Sequence, residues 1–420
     1  MSQGPRQESE FLPKTFSSLR GYSFAQAFSD LAAGLGVGII ALPLAMAFAI
    51  ASGVSPAEGL YTAVIAGFLT SLFSGSPVQI GGPTGAFVVI ISATVQKQGT
   101  EGLALATLMS SCLLLLLGYC RAGFFLRYIK EPVIIGFTAG IALIIFSCQM
   151  KDFFGLTVIA EGCSLLSRWI SYLQAPSFNP HSAALSLSSL SLIIALKAYF
   201  PKAPAYLLAI LYATTVAHHF DWPVDTIGSK FGSIPSQLPF PSLPALTWQK
   251  AMAVWPDTLA ITGLAALESL LCAATADRLA GTSHSPNCEL VAQGIANFGS
   301  VLFGGIPSTG AIARTAANIR MGGKTPVSGM IHALFLLLVM NRCGGLAAQI
   351  PLSALAAILV SIAWQMADLH QCRALISGKK EERAIFLVSF LLTAFVDLAV
   401  AVMAGVLLSF LLPIKRKRLG

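Results

Sequence analysis

Ile80-Gly-Gly-Pro-Thr-Gly-Ala-Phe87 returns later in the chain as Phe303-Gly-Gly-Ile-Pro-Ser-Thr-Gly-Ala-Ile312. Each copy reads Gly-Gly, a proline, then Thr-Gly-Ala opening a short apolar run, 84–96 in the first and 310–320 in the second. Neither run reaches the roughly 20 residues that a helix needs to cross a bilayer. Both are therefore expected to be half-helices. Paired segments interrupted by Gly and Pro, at matching positions of two halves, are a sequence pointer to a transporter binding site.

Composition around this repeat leaves one class of protein. Of 420 residues, 55% are hydrophobic and 10% charged, and the mean hydropathy is +0.76. Soluble domains carry about 25% charged residues, so a soluble enzyme, a nucleic-acid binder and a disordered chain are excluded. Apolar runs and their punctuation predict fourteen membrane segments: 28–50, 57–74, 84–96, 103–120, 131–150, 182–200, 203–219, 257–276, 289–304, 310–320, 326–341, 346–366, 383–395 and 397–413. Seven lie on each side of residues 220–256, and an odd number per half inserts the second half upside down. The predicted fold is thus an all-α polytopic membrane protein, a 7+7 inverted repeat of 14 transmembrane segments. Its parts are an N-terminal segment 1–27, a first repeat 28–219, a linker 220–256, a second repeat 257–413 and a basic tail 414–420. The linker is rich in Pro and holds Trp222, Trp248 and Trp255, whose amphipathic rings suit the lipid headgroup level.

The net charge of +8 is not patterned for nucleic acid. With this topology, nineteen of the 26 Lys and Arg fall on the side of the two termini, six on the other, and Arg314 within a segment. That bias predicts cytoplasmic termini and an extracytoplasmic linker. The first 26 residues lack a continuous apolar core, so no cleavable signal peptide is expected. The eight cysteines form no disulfide framework, and Cys112, Cys148 and Cys272 are expected to be small buried hydrophobes.

The short segments carry the chemistry. Pro83 suits the first turn of a helix, and Thr84, Gly85 and Ala86 leave free N–H groups at a positive helix end with little side-chain bulk. That is an anion site built of backbone. In the second copy Thr309 is placed to cap the helix through its hydroxyl, while Gly310 and Ala311 keep the opening narrow. The alternative is that these small residues serve helix packing alone. Arg314, one turn beyond Gly310, can lend its charge to an anion, unless it snorkels to the surface with Arg320 and Lys324. Glu268 sits in Leu264-Ala-Ala-Leu-Glu-Ser-Leu-Leu-Cys272, where an ionised carboxylate is costly. It is a candidate to carry a proton, to bind a cation, or to pair with Arg314. Asp30, Glu58, Asp277 and Arg278 are expected at the interface.

Other patterns carry less. Gly322-Gly-Lys-Thr325 resembles the end of a phosphate loop, but Asn318 stands where the earlier Gly is required. Gly34-Leu-Gly-Val-Gly38 lacks dinucleotide spacing and reads as helix packing. His218-His219 has no further ligand at metal spacing. No HExxH or GxSxG occurs, which weakens a membrane-embedded enzyme.

Ala41-Leu-Pro-Leu-Ala-Met-Ala-Phe-Ala-Ile-Ala-Ser-Gly53, Gly59-Leu-Tyr-Thr62 and Gln79-Ile-Gly-Gly-Pro-Thr-Gly-Ala-Phe87 together resemble the SulP (sulfate permease) anion-transporter family. Leu267-Glu-Ser-Leu-Leu271, Ala276-Asp-Arg278, Asn297-Phe298, Gly304-Gly305, Gly310-Ala-Ile-Ala-Arg-Thr315 and Gly322-Gly-Lys-Thr325 follow in the same order. The resemblance covers about residues 25–413. It implies a core bundle (segments 1–4 and 8–11) moving against a gate bundle (5–7 and 12–14) in elevator-like alternating access. It places the anion between Thr84, Gly85, Ala86 and Phe87 on one side and Gly310, Ala311 and Ile312 on the other. Glu268 matches the ion-coupling carboxylate and Arg314 the basic residue of the tenth helix. Many members carry Gln after the first-helix proline, where this chain has Leu44 after Pro43, which puts one substrate hydrogen bond in doubt. Members usually continue into a cytoplasmic STAS domain, whereas this sequence ends at Lys415-Arg-Lys-Arg-Leu-Gly420.

The function so implied is secondary active transport of a small anion, sulfate or another oxyanion, bicarbonate or a dicarboxylate, coupled to protons. A sodium-coupled bicarbonate transporter, a passive channel or exchanger, and a nucleobase carrier of the same fold are the alternatives. The expected partners are a small inorganic or carboxylic anion, the lipid bilayer of a bacterial inner membrane and a second copy in a homodimer, with no nucleic acid. No cofactor or metal is expected beyond a co-transported proton or Na+.

Overall fold

The computed structural model describes residues 11–123, 130–158, 165–201, 203–233, 235–396 and 404. The elements of the first sequence half are α1 (Lys14–Ser18), α2 (Phe24–Ala51), α3 (Pro56–Phe73), β1 (Gly81–Gly82), α4 (Phe87–Tyr119), α5 (Glu131–Phe154), α6 (Leu165–Leu173), α7 (Pro180–Tyr199) and α8 (Ala205–His219). There follow α9 (Ile227–Phe231), α10 (Trp248–Ala253), α11 (Trp255–Ala280), α12 (Pro286–Leu302), β2 (Thr309–Gly310), α13 (Ile312–Arg320), α14 (Pro326–Ala347), α15 (Leu352–Met366), α16 (Leu369–Ile376) and α17 (Lys380–Phe395). Among the described residues, eight stretches are long and apolar enough to cross a bilayer: α2, α3, α4, α5, α7, α11, α14 and Leu352–Ile376. The chain is an all-α membrane protein.

Proline sets many of the helix starts. It occupies the first or second position of α3, α5, α7, α11 and α12, and α14 begins at Pro326. There its missing N–H removes a donor that would have no partner anyway, and its fixed φ is already helical. Ser55 and Asn179 cap α3 and α7 by accepting from backbone N–H groups. Gly155 and Gly281 end α5 and α11 in the left-handed conformation, at φ +58° and +68°. The segment expected over 84–96 begins instead at Phe87 and joins 103–120 within α4, across a break at Gly99 (φ +71°). The one expected over 310–320 begins at Ile312, because Thr309 and Gly310 are extended. Segment 397–413, apart from Ala404, lies outside the described residues, as do the tail 414–420 and residues 1–10.

The chain forms two compact units. The first comprises Met1–Phe87, Ile91–Leu126 and Ser233–Gly345; the second comprises Val88–Ile90, Arg127–Gly232 and Leu346–Gly420. Each draws on both sequence halves, in the grouping expected for the core and gate bundles.

Within the first unit, α2 and α12 both pack on α3. Gly34 of α2 meets α14 so closely that a Cβ there would fall 2.5 Å from the Ser328 carbonyl, which is the small-residue packing expected of that stretch. Asp30 is not interfacial but fully buried. Its carboxylate accepts from Lys324 N (2.8 Å), Thr325 N (3.2 Å), Thr325 Oγ1 (2.5 Å) and Tyr22 OH (2.9 Å). The phosphate-loop-like turn Gly322–Thr325 thus wraps the protein's own carboxylate. Cys112 is exposed rather than buried, since its face of α4 also carries the exposed Leu116. Such apolar exposure suits lipid contact.

In the second unit, α5 is flanked by α15 and α17, with α7 against α15. Ser186 of α7 donates to the carbonyls of Phe153 (2.9 Å) and Ser353 (3.0 Å), tying three helices at one buried hydroxyl. The linker's beginning docks here too. Ile227 N donates to Ile350 O (2.9 Å), and Trp222 packs against a cluster that includes Ala213, Ala217 and Ala354.

Candidate functional site

The two repeated stretches pair with each other. β1 and β2 are antiparallel, Gly81 opposite Gly310 and Gly82 opposite Thr309, and Ala311 N extends the ladder to Ile80 O (2.8 Å). Glycine makes this approach possible: a Cβ on Gly81 would collide with Thr70, and one on Gly310 with Gln79. From this pair the chain runs into α4 at Phe87 and α13 at Ile312. The residues preceding those helices, Ala86 and Ala311, have no side-chain cap. Two uncapped N-termini, each with orphan N–H groups and partial positive charge, are therefore launched from one short ladder.

Local details differ from those read in the sequence. Pro83 precedes the helix rather than opening it, and its carbonyl accepts from Arg314 Nη2 (2.5 Å). Thr309 does not cap α13. Its hydroxyl shares a hydrogen bond with Ser269 Oγ (2.7 Å) and donates to Ala265 O (3.3 Å). Gly310 N donates to Ser269 Oγ (3.2 Å) and Ala311 N to Ile80 O. The orphan amides at this helix end accordingly begin at Ile312 and Ala313.

Arg314 is 2% exposed and does not snorkel. Its Nη1 has no hydrogen-bond partner and lies 2.7 Å from the position a Cβ would take on Gly82. A buried guanidinium N–H without an acceptor is expensive, and an anion would complete it. Thr84 Oγ1 donates to Glu268 Oε2 (3.0 Å). Glu268 and Arg314 thus bind adjacent residues of one turn, Thr84 and Pro83, and form no ion pair with each other. Gly85, Ala86, Phe87, Gly310 and Ala311 are buried, Thr84 and Glu268 half-buried, and Ile312 exposed. Every one of these residues belongs to the first unit.

Several supporting groups escaped the sequence reading. Ser269 holds β2, and Thr315 Oγ1 accepts from Ile80 N (3.0 Å). On α12, Glu289, Gln293 and Asn297 are fully buried. Their spacing of four was the available signal, since it puts three polar side chains on one helix face.

The chain matches the Sulfate permease family over residues 28–389. It is 42% identical over 400 residues to Bacillus subtilis YvdB, a protein named provisionally as a sulfate transporter, covering 94% of this chain and 75% of that one. The bicarbonate transporter BicA of Picosynechococcus is 32% identical over 397 residues, covering 92% and 70%. The solved transmembrane domain of a cyanobacterial BicA superposes with a TM-score of 0.80 at 30% identity, covering 92% of this chain and 98% of that one. SLC26A9 shares the fold, with a TM-score of 0.86 at 22% identity over 96% of this chain and 67% of the other. Family and relatives are transporters, not enzymes. A ladder joining two uncapped helix ends, in an integral membrane chain matched along most of its length, leads to one assignment: the protein belongs to the Sulfate permease family.

Proposed function

We propose that the protein is a secondary active transporter of a small oxyanion, with sulfate, bicarbonate and dicarboxylates as the candidate substrates. The observation that carries this reading is the buried Arg314 with its unpartnered Nη1, beside two uncapped helix N-termini. Fixed donors of this kind bind negative charge without reorganising. Thr84, Gly85, Ala86 and Phe87, with Gly310, Ala311, Ile312 and Arg314, form the anion site. Glu268 couples transport to protons: its carboxylate hydrogen-bonds Thr84 within that site, and an anion beside an ionised carboxylate is repelled. Because the whole site lies in one unit, it can travel with that unit in elevator-like alternating access. The protein acts in a bacterial inner membrane with both termini cytoplasmic, as the Lys and Arg bias favours, and a homodimer is its proposed assembly. A sodium-coupled bicarbonate carrier is the second reading: the likeness to BicA, a bicarbonate transporter, favours the substrate, and Glu268 would then ligate the cation.

Uptake of labelled sulfate, bicarbonate, succinate and chloride into proteoliposomes tests this, with and without a pH gradient and with and without Na+. Accumulation of one oxyanion driven by the pH gradient is expected. Accumulation that needs Na+ instead would shift the reading to the cation-ligand role. Downhill flux alone would make the protein a channel or exchanger.

A further inference from the structure

α12 presents one face of polar side chains, Glu289, Gln293, Asn297 and Ser300, all fully buried. At one end, Glu289 accepts four hydrogen bonds. They come from Ser74 Oγ (2.7 Å), Gly75 N (3.2 Å), Gln79 Nε2 (2.9 Å) and Gln293 Nε2 (2.9 Å). Three of these donors lie in the stretch that leads into β1. Further along, Asn297 clamps Ser308 from both sides, donating to its carbonyl (3.0 Å) and accepting from its N–H (2.7 Å). Ser300 Oγ donates to Ile306 O (2.8 Å). Ile306 and Ser308 lead into β2. The same helix therefore grips the approaches to both strands, one from each sequence half. On α3, Thr62 completes the grip by accepting from Ile306 N (2.7 Å).

We propose that Glu289 and Asn297 are positioning residues that hold β1 and β2 in register, and so fix the separation of the two helix ends that bind the anion. Neither residue has to touch the anion. A carboxylate with four donors is satisfied without a counter-ion, which suits a fixed strut. The Asn side chain matches the edge of a peptide unit, offering one donor and one acceptor, so it grips Ser308 as a neighbouring strand would. A donor pair displaced by about 1 Å loses much of its value to a bound group. The expected consequence of loosening the grip is weaker anion binding at nearly unchanged turnover.

This inference rests on the anion-transport reading for its kinetic half only. Wild type, Asn297→Ala and Glu289→Gln would be reconstituted. Hydrogen exchange would be followed on peptides covering 80–82 and 309–312, and uptake kinetics measured with sulfate, bicarbonate and succinate. Asn297→Ala should lose about ten-fold in protection at 309–312 and raise KM about ten-fold, with kcat within about two-fold of wild type. Glu289→Gln keeps the shape but turns a donor toward donors. It should loosen 80–82 in the same way, and it provides the readout if Asn297→Ala fails to insert. Unchanged protection at both strands in the two variants overturns the proposal, as does unchanged KM once protection is lost. If protection falls as expected while wild type transports none of sulfate, bicarbonate and succinate, the anion reading fails and the register role stands.

Discussion

Replacing Arg314 by Lys keeps the charge but removes the planar fork, one arm of which holds Pro83 while the other is free. Transport should survive in Arg314→Lys with weakened affinity. In Arg314→Gln, loss of a charge-assisted hydrogen bond of about 1.5–3 kcal/mol should weaken anion binding roughly ten- to hundred-fold, as read from the KM of uptake. Binding equal to wild type in the Gln variant would make Arg314 a strut for Pro83 alone. Glu268 accepts from Thr84, the next residue of the same turn. If it carries the proton, anion and proton each favour binding of the other, and the coupling is reciprocal. Uptake should therefore accelerate as external pH falls. Glu268→Gln resembles the protonated form and keeps an acceptor for Thr84. It should bind and exchange anion without pH dependence and without accumulation against a gradient. A Gln variant that still concentrates substrate on a pH gradient removes the proton role.

Where the helices begin, space is the controlling quantity. Ala86 and Ala311 are 1% and 6% exposed at the two uncapped ends, so Leu at either has no room to enter without occupying the mouth. Both variants should insert and fold, as judged by a monodisperse detergent-solubilised peak, yet show no uptake. Normal uptake would assign these residues to packing. The turn around Asp30 offers a stability test: Asp30→Ala strands two backbone N–H groups and two hydroxyls, and should cost about 2–3 kcal/mol, read as a lower melting temperature. The helices were legible as apolar runs, but the starts expected at 84 and 310 fall at Phe87 and Ile312, because Pro83 and Thr309 are engaged by Arg314 and Ser269 from other helices. Thr84-Gly-Ala86 and its repeat were legible because the same short string of Gly, Pro and Thr recurs in the chain. The β1–β2 ladder was not, because Gly-Gly carries no side-chain pattern and its pairing partner lies in the other half. Asp30 was misplaced at the interface because its partners, Lys324 and Thr325, are equally remote. Thr309 was expected to cap its helix, but Ser269, on a different helix, engages its hydroxyl.

At the scale of the whole molecule, the two units are each assembled from both sequence halves, so neither half contains a complete unit. Residues 1–232 expressed alone should give no uptake. Co-expression with 233–420 should restore it if the pieces find each other in the membrane. Activity from either piece by itself would contradict a shared site. The two-residue ladder has a related consequence for how the protein is made. Gly81 and Gly310 are separated by about 230 residues, and ribosomes add about 5–20 residues per second, so β1 waits on the order of tens of seconds for its partner. During that interval the backbone around Gly81 and Gly82 has neither a strand opposite it nor, from Glu289 on α12, the carboxylate that later holds its approach. Unpaired peptide groups cannot rest in lipid. The first half must therefore linger in a hydrated or chaperoned state until the second arrives, and biogenesis, rather than transport, is the stage at which this architecture is most exposed to failure.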